Sequence, residues 1–107
     1  MAEASGNFCS RPGRFGAHSS NESFAPIYYG RILFVAFFNA GVRAVDVRDP
    51  FHPREIAHYV PPACRGTVAT NNVEVDERGY VYIVDRACGD LRILELTGAA
   101  REVANRR

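Results

Sequence analysis

The stretch ILFVAFFNAGVRAVDVRDPFHP, Ile32–Pro53, decides how this chain folds, because YVYIVDRACGDLRILEL, Tyr80–Leu96, repeats its grammar about 48 residues later. Aligned without a gap, Ile32-Leu33-Phe34-Val35-Ala36 lies over Tyr80-Val81-Tyr82-Ile83-Val84, and Gly41 over Gly89. After one inserted residue, Val42–Val47 lies over Leu91–Leu96. Each copy reads strand, glycine-containing turn, strand: β-branched and aromatic residues flank Asn39-Ala40-Gly41 in the first and Ala87-Cys88-Gly89-Asp90 in the second. The second strand of each copy carries apolar residues on both faces. Val42, Ala44 and Asp46 oppose Arg43, Val45 and Val47; Leu91, Ile93 and Glu95 oppose Arg92, Leu94 and Leu96. Such a strand has a sheet on each side of it.

Working outward, Arg48-Asp49-Pro50-Phe51-His52-Pro53 reads as a turn, since Asp-Pro initiates one and each proline removes a ladder donor. Arg54–Val60 reads as an outer strand stopped by Pro61-Pro62, and Thr70–Asp76 as a short inner strand. No segment combines helical spacing with caps over more than one or two turns. The expected fold is all-β: antiparallel, four-stranded, propeller-type blades, about two of them, forming an incomplete propeller. The predicted organisation is an irregular segment over 1–16, a first blade over 17–62, a second over 63–100 with its outer strand missing or irregular, and a tail over 101–107.

A chain of 107 residues is one domain at most. Hydrophobic residues at 47% and charged residues at 23% are ordinary globular values and exclude a disordered tail. A net charge of +1 gives no electrostatic reason to expect nucleic acid or an anionic membrane as partner. All thirteen basic residues are arginine, which reads as compositional background. No apolar run approaches the roughly 18 residues of a membrane span. MAEASGNFCSRPGR at the start lacks the apolar centre of a signal peptide, so the chain itself gives no sign of export. Cys9, Cys64 and Cys88 lack CxxC or CxxH spacing, which argues against structural zinc. Three small apolar residues without redox role is the favoured reading, with a disulfide in an oxidising compartment as the alternative.

GVRAVDVRDPFHPRE, Gly41–Glu55, resembles the LVIVD-repeat proteins: a glycine, an apolar alternating strand ending in Asp-Val, then an Asp-Pro turn with a second proline. Thr70–Leu96 looks like the start of a following blade of that family, and CSRPGRFGAHSSNE, Cys9–Glu22, is similar to an Arg-rich, His-containing segment of bacterial members. The resemblance implies a β-propeller, commonly exported or surface-associated, with no established activity in most members. A more distant likeness, to the selenium-binding and methanethiol oxidase group, implies inner-strand histidines that hold a metal; only His18 stands at a comparable place. A closed propeller needs at least four blades. The expected partners are therefore the remaining blades of a longer chain, of which this would be a C-terminal piece, or further copies of itself.

The densest cluster of functional side chains is Arg11, Arg14, His18 and Glu22. With Ala17–Asn21 as an inner strand, His18 points into the central channel, where it can bind an anion or, with Glu22 as a second ligand or orienting group, a divalent transition metal. One histidine and one carboxylate fall short of the three or four ligands zinc or copper needs. Hydrogen bonding that ties the inner strand to the loops is the plainer role. Arg11 and Arg14 can clamp a carboxylate or phosphate, or pair with acidic residues of the same chain. Asn71 and Asn72, at the matching place in the second blade, are expected to line the channel opposite His18. His52 and His58 read as surface residues, and the aspartates at strand ends as acceptors of backbone N–H bonds. No nucleophile, base and orienter set can be assembled. The expected function is a non-catalytic binding or interaction scaffold; the alternatives are a metal-dependent oxidoreductase or hydrolase site around His18 and a module that oligomerises to complete a ring.

Overall fold

The structure, a computed structural model, describes residues 8–21 and 25–105. Seven strands form in chain order: β1 (Phe15–Ser20), β2 (Ile32–Phe38), β3 (Val42–Asp46), β4 (Arg54–Tyr59), β5 (Thr70–Val75), β6 (Val81–Asp85) and β7 (Asp90–Leu94). All pairings are antiparallel. The strands β1 to β4 make one meander and β5 to β7 a second. A single partner pair, Phe38↔Thr70, joins them into one sheet with the order β4-β3-β2-β5-β6-β7, while β1 runs along the same side of β2. The chain is all-β, with an antiparallel sheet curled into a half-barrel.

The curl brings the two meanders face to face. Ile32, Phe34, Ala36, Val42 and Ala44 from the first pack with Val73, Val75, Val81 and Ile83 from the second in one core. As the alternation requires, β3 is buried on both faces. Its repeat counterpart β7 is not: Leu91 and Ile93 are exposed. The turn before β3 needs Gly41, whose φ is +74° and whose missing Cβ lets the Tyr59 carbonyl and Val60 approach.

Two features go beyond the sequence reading. Residues expected at the end of the second blade and in the tail form a helix, α1 (Gly98–Asn105). It is about two turns long, with Ala100, Val103 and Ala104 buried on one side, and Val103 and Ala104 join the common core. The Arg31 guanidinium donates to the Ala104 carbonyl at 2.7 Å, satisfying a carbonyl the last turn would leave open. Tertiary packing stabilises this helix, which at about two turns is too short to be stable by itself. The cysteines are also not uniformly inert: Cys64 and Cys88 form a disulfide across a Cα separation of 6.0 Å, leaving Cys9 free and exposed. No helix among the described residues is long and apolar enough to cross a membrane.

Candidate functional site

Strands β1 and β5 meet where β2 ends, and a β-bulge shapes the junction. On β5, Thr70 partners Asp85 and Asn72 partners Val84, so Asn71 is the extra residue. Its carbonyl accepts the Ser19 hydroxyl at 2.8 Å and His18 Nδ1 at 2.9 Å. A carbonyl can only accept, so His18 carries its proton on Nδ1 and leaves Nε2 outside the contact. Phe38 forms the floor, with the His18 ring 4.7 Å and the Arg86 guanidinium 5.9 Å from its ring centre. Phe38 itself has a φ of +50°, a costly backbone state for a bulky residue that the three meeting strands hold in place.

Arg86 follows the last residue of β6, and its backbone N–H donates to the Ala69 carbonyl at 3.0 Å. Its Nη1 donates to Asn71 Oδ1 at 2.9 Å, which fixes the Asn71 amide with its nitrogen turned to donate to Asn72 Oδ1. The junction thus assembles His18, Asn71, Asn72 and Arg86, drawn from three separate segments of chain. Asn71 and Asn72 lie beside His18, bonded to it directly and through one another, where sequence reasoning expected them across a channel. Arg86 was not singled out in the sequence, since only the fold carries it to Asn71.

The remaining candidates go elsewhere. Glu22 lies outside the described residues. Arg11 stacks on the Phe8 ring at 4.4 Å and takes no acidic partner among the described residues. Arg14 contributes its carbonyl, which accepts the Asn39 N–H at 3.0 Å. His52 has a partner that the sequence reading did not give it: its Nδ1 meets Asp49 Oδ2 at 2.9 Å, on the surface. Among the described residues no group of three or more His, Cys, Asp or Glu converges as metal ligands would.

A second polar cluster closes the β5–β6 turn. Asp76 accepts the backbone N–H groups of Arg78 and Tyr80, the Arg78 guanidinium at 2.8 Å and the Tyr82 hydroxyl at 2.6 Å. Those bonds, the Tyr82 hydroxyl first, hold its carboxyl well below the usual carboxylate range. Asp46 is held down to about 2 by the side chain and backbone N–H of Arg48, with help from Arg54. Both carboxylates are saturated with donors, which makes them turn clamps with no acceptor capacity left for a ligand. Between the meanders lies an apolar cleft of about 250 Å³, walled by Phe34, Ala57, Tyr59, Val81 and Leu94, with His58 and Glu95 among its polar members.

Neither a family model, nor a curated protein, nor a solved structure matches this chain. The site is therefore read from its own chemistry. The aspartates are occupied, His18 is an anchor between β1 and β5, and within the junction the groups with donors to spare are Arg86 and Asn72.

Proposed function

We propose that this chain is a non-catalytic interaction scaffold of the LVIVD propeller type, two blades long, that recruits further blades onto the outer face of its second unit. One observation carries the reading. In the repeat alignment Val42 and Ala44 correspond to Leu91 and Ile93. The first pair is 4% and 3% exposed, covered by the second unit; the second pair is 59% exposed at each position. The same offset holds along the other strand: Ala36 is fully buried and its counterpart Val84 is exposed. Blades related by rotation about an axis stack front to back, so the front of the last blade lacks its cover.

The donor inventory supports the same reading. Arg43 on β3 is buried, with Nε donating to the Ala40 carbonyl at 3.0 Å and Nη1 paired with Glu55 of β4 at 3.3 Å. Its counterpart on β7, Arg92, reaches Asp90 at 3.1 Å, but its Nε is buried without an acceptor. A fourth strand at β7 carrying a carboxylate in the place of Glu55 would pair the Arg92 guanidinium as Glu55 pairs that of Arg43.

The occupant we assign is a second copy of the chain, presenting the opposite outer face around Leu33, which is also exposed. Such a contact is head-to-tail. Sedimentation or light scattering tests it: the wild type should associate with rising concentration, and both L33E and L91E/I93E should stay monomeric with unchanged circular dichroism. Mixing those two variants should restore a dimer, because each keeps one intact face. A wild type monomeric up to millimolar concentration, or association indifferent to both variants, rejects the scaffold reading.

A further inference from the structure

We propose that Arg86, set over the Phe38 ring, and Asn72, at the junction of β1 and β5, form a binding site for the carboxylate group of a small organic acid. Arg86 spends one N–H, on Nη1, on Asn71 Oδ1. Nε and Nη2, the edge of the guanidinium that presents two parallel donors, have no partner among the described residues. That edge matches the two oxygens of a carboxylate. Asn72 accepts from Asn71 through Oδ1, which turns its own amide nitrogen outward as a further donor.

The site is held in place before any ligand arrives. Asn71 is a bulge residue tied by Arg86 through its side chain and by His18 and Ser19 through its carbonyl. Arg86 is further fixed by its backbone bond to Ala69 and by lying over Phe38. Among the described residues seven salt bridges join arginine or histidine to a carboxylate, and none of them includes Arg86. The adjacent carboxylate, Asp85, is committed to the N–H groups of Ala69 at 3.0 Å and Ala87 at 2.8 Å and is itself buried. A cation fixed beside an aromatic floor and left without a counter-charge among the described residues selects an anion. A single planar fork, with no second guanidinium bonded into the cluster, suits a carboxylate better than a tetrahedral dianion. His18 and Asn71 are positioning residues here.

NMR titration of the labelled protein with acetate, at constant ionic strength made up with chloride, tests the proposal. Acetate should give saturable shifts at the Arg86 Nε–H and the Asn71 and Asn72 amides, with inorganic phosphate at least fivefold weaker and neutral acetamide without effect. R86Q and R86K, which remove the fork without touching the core, should each weaken acetate at least fivefold. R14Q, on the arginine that lies outside the cluster, should leave it unchanged. Shifts that grow linearly with acetate, persist in R86Q or are matched by acetamide overturn the site, and tighter binding of phosphate overturns the carboxylate assignment. The site stands apart from the blade-recruiting face: R86Q should leave association intact, and L91E/I93E should leave acetate binding intact.

Discussion

Removing the Cys64–Cys88 disulfide should lower the stability of this chain by about 3 kcal/mol. The bond spans a sequence separation of 24 residues. A cross-link closing a loop of that length removes chain entropy from the unfolded state equivalent to about 3.5 kcal/mol at 25 °C. The folded state already holds the same loop without the bond. Cys64 and Thr67 exchange backbone hydrogen bonds at 2.7 and 3.1 Å, and Ala69 is clasped by the Asp85 carboxylate and the Arg86 N–H. C64A/C88A should therefore fold to the same structure, with the loss arising in the unfolded ensemble. Guanidinium unfolding should show a lower midpoint and a slightly larger m-value, because the unfolded chain expands when the cross-link goes. In a thermal scan the loss corresponds to a fall of roughly 12 °C or more. Wild type under reductant should move onto the curve of the variant. Coincident midpoints, in protein whose mass confirms the oxidised bond, would refute the reasoning.

Two further outcomes follow from the packing. Gly41→Ala should cost about 3 kcal/mol or more in a guanidinium melt, since a Cβ there runs into the Tyr59 carbonyl and comes within 2.8 Å of Val60 Cα, at a φ of +74°. Gly89→Ala, at the matching turn with a φ of +69° and open space around it, should cost only about 1–2 kcal/mol; equal costs would discard the close-approach argument. Burial, followed by the charge of Asp76, pushes Tyr28 up to about 12, while Arg101 pulls the other way. The folded chain holds this proton more tightly than the unfolded chain, whose tyrosine titrates near 10.0. The resulting stability is present in full below pH 10 and is lost as pH rises toward 12. Tyr28→Phe, which also gives up the hydroxyl's bond to the Gly79 carbonyl, should flatten that alkaline fall; an unchanged profile would count against it.

The strands and turns were legible because their cause is local. Alternation in Phe34–Ala36 and Val81–Ile83, glycine at position 41 and the Asp-Pro at 49–50 act over a few residues, and each element formed within a residue or two of where the pattern placed it. Features with non-local causes were not. Nothing in the spacing of three cysteines selects Cys64 with Cys88; the fold selects them, by bringing their Cα atoms to 6.0 Å. The helix Gly98–Asn105 exists because Val103 and Ala104 find the core and Arg31 finds the Ala104 carbonyl, 73 residues away in sequence. Asn71 and Asn72 could be picked out by their place in the repeat, whereas Arg86 has no signature in sequence. It matters through the bulge that turns Asn71 toward it, and a bulge is a property of the pairing between two strands.

The repeat also separates what a sequence dictates from what its neighbours supply. Val42-Arg43-Ala44 and Leu91-Arg92-Ile93 share a pattern and a place in the meander, yet one is sealed and the other lies open. The difference cannot come from the strands themselves, because both pair correctly with the strand before them. It comes from β4, which adds Glu55 for Arg43, and from the second unit, which covers Val42 and Ala44. A strand that carries apolar residues on both faces is built to be enclosed. Where it is not, the chain carries exposed Leu91 and Ile93 together with an Arg92 Nε that lacks an acceptor among the described residues. The two defects coincide on one strand, and they coincide at the position where the first copy has a partner.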